Sequence, residues 1–208
     1  MFNFQDFPNG WGASVDALHA DIKIPSEHWI KGKQFFAEYQ LYHLHRERDR
    51  APVISVMIDL HPNDEPNLHL QKALDEWQKV FDDDERECEE RRERANRRLR
   101  GRTTNSSTYS SLPYRRNAQE DTTEGREKKV WDPYHRDLMP SIHFYGYSGS
   151  LTEPPCTEFC EWRVLDKPMF ISSAQLLQMQ LLLFNHVDKK CRLTSTHYEG
   201  VSQLCVCL

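Results

Sequence analysis

The residues whose chemistry must be placed first are histidines, acids and cysteines. His43-Leu-His45 is an H-x-H pair. On a strand, side chains two apart share a face, so both imidazoles could serve one metal ion. The same period puts Glu38 and Gln40 on the opposite face, so His43 and His45 are expected to be ordinary hydrogen-bonded or exposed histidines. His19, Asp21 and Lys23 also stand two apart and share a face. His61, His69, His135, His143, His186 and His197 form no ligand spacing. Cys88, Cys156, Cys160, Cys191, Cys205 and Cys207 include no C-x-x-C pair, which argues against zinc-ribbon and thioredoxin-like chemistry. The final Cys205-Val-Cys-Leu208 has the C-a-a-X form of a geranylgeranylation signal. A cysteine in an aliphatic slot weakens that reading, and an incidental tail is expected.

The 208 residues carry a net charge of −5, so bulk nucleic-acid binding is not expected. No run of 18 apolar residues exists to span a membrane, and no secretory signal is visible at Met1–Gly10. The compartment stays open.

The elements that must position these groups flank a polar segment. Val53–Leu60 reads as a compact apolar strand, and Phe35–His45 has strand-like spacing. Leu68–Val80 reads as a helix with Leu70, Leu74 and Trp77 on one face. Met169–Ile171 reads as a short strand. Ser172 and Gln175 then form a capping box that opens a helix through Leu183. Residues 82–130 offer little core material. Asp82–Arg102 holds eight acidic residues and eight arginines, acids first, in an order that suits a helix dipole. Glu87/Arg91, Glu90/Arg94 and Glu93/Arg97 have i,i+4 spacing. Thr103–Thr123 is rich in serine, threonine and asparagine, a composition expected of disorder. The fold expected is mostly β with a few short helices. Its domain comprises 1–81 and 131–190, with 82–130 as a charged insert, disordered or helical, and 191–208 as a divergent tail.

Tyr147-Ser-Gly-Ser-Leu-Thr-Glu-Pro-Pro-Cys-Thr-Glu158 is followed by Trp162-Arg-Val-Leu165, Ile171-Ser-Ser173 and Leu182-Leu-Phe-Asn185. This resembles the alpha-class carbonic anhydrase signature Y-x-G-S-L-T-T-P-P-C-x-E, W-x-V-L, I-S-S-x-Q-L and L-x-F-N. Pro25-Ser-Glu-His28 and Ala37-Glu38 resemble the family's P-S-E-H and A-E-L-H blocks. The resemblance covers residues 1–80 and 131–186. It implies a central antiparallel (mixed) sheet and a cleft in which three histidines hold zinc. Zinc lowers the pKa of its bound water to about 7, and the hydroxide attacks carbon dioxide.

Carried over residue by residue, the hydroxide-orienting threonine is Thr152 and its glutamate partner is Glu27. Glu38 and His28 are the supporting residues behind the ligands. The three zinc positions fall on Asp21, Lys23 and Gln40, none of them histidine. A protonated lysine has no lone pair and repels a cation. Lys23 is therefore expected to put a fixed charge where the metal charge would sit, paired with Asp21, Glu27 and Glu38. Tyr42 replaces a small wall residue and Glu153 replaces the second threonine. Val53, Leu151 and Trp162 keep the apolar wall.

The resemblance also implies that the portion preceding the zinc strands is missing, with the family disulfide partner of Cys156. A divergent or incomplete copy is expected. The function expected is a catalytically inactive binding or structural module with no cofactor. The alternatives are a zinc carbonic anhydrase with an unusual site, or a non-functional fragment. A protein partner could be met through the 82–130 insert. Members of this type are often secreted or lumenal, but nothing here fixes the compartment.

Overall fold

The computed structural model describes residues 15–45, 50–101, 131–153, 155–188 and 190–193, with backbone alone for 98–101. The 103–123 stretch, His197 and Cys205–Leu208 lie outside the described residues. The elements are β1 (Asp16–Lys23), β2 (Trp29–Ile30), β3 (Lys33–Gln34), β4 (Ala37–Leu44), β5 (Ala51–Leu60), α1 (Leu68–Gly101), β6 (Phe144–Gly149), β7 (Cys160–Leu165), β8 (Met169–Ile171) and α2 (Ser173–Phe184).

Six strands form one mixed sheet in the order β1-β4-β5-β7-β6, with β8 also paired to β5. The β1/β4, β4/β5 and β6/β7 pairs are antiparallel. β5 runs parallel to β7 along its first half and to β8 along its end. β2 and β3 form a separate small hairpin. The central strands β4 and β5 are buried on both faces; β5 accordingly reads as a near-continuous apolar run, whereas β4 buries Glu38, Gln40 and His43 among its apolar residues.

One face carries the main core. Tyr39 and Leu41 of β4 and Ile54, Val56 and Ile58 of β5 pack there against Leu70, Leu74 and Phe81 of α1 and Met179 and Leu182 of α2. Each such side chain contributes roughly 1.5–3 kcal/mol when fully buried. Asn67 caps α1 by accepting from the His69 and Leu70 amides. The expected capping box at Ser172 and Gln175 is present. The Gln175 side chain also grips both sides of the Asn67 peptide, at 2.8 and 2.9 Å, and so ties the two helix starts together.

The helix expected over Leu68–Val80 is present and continues to Gly101. It crosses the boundary drawn at residue 82, because Phe81 and Cys88 are both buried. Cys88 forms a disulfide with Cys191, and His186 meets Asp84 at 3.2 Å. The three expected i,i+4 ion pairs form at 2.9–3.0 Å. One expectation changes. Because α1 starts at Leu68, the acidic block lies mid-helix and no acid stands in the first turn, so the helix dipole does not account for it.

Candidate functional site

The other face of the sheet gathers the residues singled out by type and spacing. Cross-strand pairing places them in rows. His19, Tyr42, Val53, Trp162 and Tyr147 are successive neighbours from β1 to β6. Beside them run Asp21, Gln40, Ser55 and Val164, and then Lys23, Glu38 and Met57. Asp21, Lys23 and Gln40 therefore converge on one patch: Asp21 lies opposite Gln40, and Lys23 opposite Glu38.

Glu38 is the buried anchor, with no exposed surface. Its Oε1 accepts from His28 Nδ1 at 2.6 Å, Gln40 Nε2 at 2.7 Å and Ser55 Oγ at 2.7 Å. Its Oε2 accepts from the Glu27 and His28 amides, each at 2.9 Å. Burial alone would raise this carboxyl. The hydrogen bonds and charge of His28, with the Gln40 donor, outweigh burial and hold it below its ordinary value. Sequence reasoning missed Ser55, whose only signal is a lone hydroxyl in an apolar strand. His28 Nε2 meets the Tyr147 hydroxyl at 2.6 Å, which fixes the ring between Glu38 and Tyr147.

Gln40 has no exposed surface, and its polar atoms are engaged within the protein. Its Nε2 donates to Glu38 and, at 2.9 Å, to Glu27 Oε2. Its Oε1 accepts the Tyr42 hydroxyl at 2.8 Å. The Tyr42 ring stacks on His19 at 4.8 Å and meets Trp162 edge-on at 6.2 Å. Val53, Trp162, Leu151 and Cys160 close around it. Burial first, then the charges of Asp21 and Glu27, push the Tyr42 phenol far above its ordinary value, so it remains a donor. Burial also pushes Cys160 up to about 11, leaving an inert thiol.

Lys23 is the third member of the patch. Its ammonium donates to Glu153 and lies 3.7 Å from Asp21. Burial alone would lower its pKa. The Glu153 hydrogen bond and the charges of Glu27, Glu153 and Asp21 raise it above the ordinary value instead. Thr152 makes no hydrogen bond to Glu27. Its side chain lies beside the Tyr42 phenol, while Glu27 takes the Gln40 amide.

This donor set does not suit zinc. It offers a protonated ammonium, an amide already engaged at both ends, and one carboxylate beside the ammonium. Among the described residues no three His, Cys, Asp or Glu side chains are grouped to hold a metal. His43 faces the opposite side of the sheet, bonded to the Pro52 carbonyl at 3.0 Å and the Tyr134 hydroxyl at 2.6 Å. His45 is buried in an isolated bridge with Arg50. His69 stacks on His135 at 4.0 Å in the loop beside the start of α1, away from this patch.

Residues 104–199 match the family model for eukaryotic-type carbonic anhydrases. The match begins within the segment set aside as an insert. Alpha carbonic anhydrase 8 of Arabidopsis thaliana is 26% identical over 197 residues, covering 92% of this chain and 40% of that protein. A carbonic anhydrase of Pectobacterium carotovorum is 45% identical over 54 residues, covering 26% of this chain and 22% of that protein. The solved alpha-carbonic anhydrase of Photobacterium profundum is 23% identical, with a TM-score of 0.49, over 78% of this chain and 54% of that one. The protein is thus similar to alpha-class carbonic anhydrases, as its motifs imply. It spans 40% of the Arabidopsis relative and about half of the solved structure. No described helix is long and apolar enough to cross a membrane.

Proposed function

We propose that this chain is a carbonic-anhydrase-like module with a binding or structural role, in which the zinc centre is replaced by an internal network of ion pairs and hydrogen bonds. The observation that carries this reading is Lys23. At a position the family resemblance assigns to a zinc histidine stands an ammonium that keeps its proton, held between Asp21 and Glu153. Gln40 and Tyr42 support it, because one side chain consumes the other's polar group where a ligand and its water would need room. Generation of a metal-bound hydroxide requires three neutral or anionic donors facing one open position, and this patch offers no such set.

The test is a carbon dioxide hydration assay on the purified chain, with and without added zinc, beside elemental analysis. The expected result is no sulfonamide-sensitive hydration and no stoichiometric zinc. Sulfonamide-sensitive activity with one zinc per chain would overturn the proposal in favour of a zinc carbonic anhydrase with an unusual site.

A further inference from the structure

The outer half of α1 takes no part in the sheet or the candidate site, and its charge is divided sharply. Residues 82–90 hold seven carboxylates and one arginine, and residues 91–97 hold four arginines and one glutamate. From Glu89 to Arg97 every side chain is exposed, while Cys88 and Asp84 hold the helix to the 186–191 segment through the disulfide and the His186 contact. The helix dipole does not explain this division. The acidic block from Asp82 begins about four turns into the helix, where the influence of its N-terminus has faded, and of the four arginines only Arg97 stands near the last turn. The i,i+4 pairs Glu87/Arg91, Glu90/Arg94 and Glu93/Arg97 do not explain it either, since such pairs need only alternation of sign.

A helix that is acidic and then basic about one midpoint is complementary to itself when reversed. We infer that the outer half of α1 is a docking surface for a second copy of this chain, the two helices antiparallel about a two-fold axis near Glu90 and Arg91. In that arrangement Asp82–Glu90 of each copy lies along Arg91–Arg97 of the other. This is the isologous contact that a two-fold axis requires. The overlap is roughly 24 Å long at about 1.5 Å per residue. The helical pairs within each copy are solvent-exposed, contribute little, and can exchange partners. Cys88 is the one buried side chain in the segment from 82 to 97, so attraction between copies is electrostatic and responds to salt. This inference does not depend on whether the zinc centre is replaced.

The experiment is sedimentation velocity of the full chain while the Debye length falls from about 30 Å at 0.01 M salt to about 3 Å at 1 M. A dimer mass at low salt that falls to the monomer mass at high salt is expected. Two charge reversals sharpen it. One changes Glu85, Glu87, Glu89 and Glu90 to Arg, and the other changes Arg91, Arg92, Arg94 and Arg97 to Glu. Each variant alone is expected to stay monomeric at low salt, and an equimolar mixture to recover the dimer mass. Circular dichroism of each checks that α1 is retained, and the mixture reads pairing even if one variant frays. A chain that stays monomeric at every salt concentration overturns the inference. So does a dimer that ignores salt or survives both reversals, as association through the exposed Leu177 and Leu181 of α2 would.

Discussion

At the residue scale the patch is decided by what Glu38 and Gln40 do with their polar atoms. Glu38 is a fully buried carboxylate with five donors, and each donor loses its partner if the carboxylate is removed. Glu38→Ala is therefore expected to destabilise the fold by more than about 3 kcal/mol, read as a lower urea midpoint. Gln40→Leu keeps the volume but strands Glu27, part of Glu38 and the Tyr42 hydroxyl, and should cost about 1–3 kcal/mol. The positions that the resemblance assigns to zinc can be tested by placing histidines there. Asp21→His, Lys23→His and Gln40→His together place three imidazoles where the cross-strand pairing brings these positions onto one patch. The triple variant is expected to retain about one zinc per chain after dialysis, and a folded triple variant that retains none would show that these positions are not a displaced metal site. Asp21 and Lys23 could be counted back from His28, and Gln40 forward from Ala37-Glu38. Their hydrogen bonds could not, because Lys23 takes Glu153 from 130 residues away and Gln40 is shared among Glu27, Glu38 and Tyr42 by burial, which no spacing signals.

At the element scale the least expected feature is the length of α1. Its amphipathic first part was legible from Leu70, Leu74 and Trp77, since periodicity is a local property. Its continuation past Val80 depends on contacts far away in the chain. Phe81 joins the core, and Cys88 is bonded to Cys191 across a separation of 103 residues. Neither is visible in a window of charged residues. Removing the crosslink with Cys88→Ser is expected to cost about 2–5 kcal/mol, because a long loop is no longer closed in the unfolded chain. Thermal melting of wild type with and without a dithiol should show the same drop, and an unchanged melting temperature would mean the bond is not formed in solution. α2 shows the opposite case. Its start at Ser172 was legible because a capping box lies within four residues.

At the scale of the whole molecule the sheet separates two titrating environments, and acid stability sums over both. His43, buried on the core face, has its pKa lowered by desolvation despite its hydrogen bonds to backbone carbonyls. The folded state then binds fewer protons than the unfolded state, so stability is full above the ordinary value of 6.5 and falls as pH drops below it. Glu38, on the other face, is also lowered, so its contribution is present above 4.5 and is lost as pH falls further. Urea midpoints are expected to decline in two stages on acidification. His43→Gln should flatten the first stage and Glu38→Gln the second. A decline untouched by either substitution would assign the acid sensitivity to other groups.

The sequence by itself determined the family resemblance, the mixed-sheet class, the convergence of Asp21, Lys23 and Gln40, and the side of β4 on which His43 lies. Motifs of neighbouring residues carried the resemblance, the resemblance implied the sheet and the shared patch, and two-residue periodicity gave the side of His43. Only the tertiary structure decided that Thr152 sits against Tyr42 and not Glu27, that Gln40 is spent on both sides, and that a charged segment is anchored helix. Each of these depends on which groups, far apart in the chain, are buried together. Burial then makes most polar atoms take a partner.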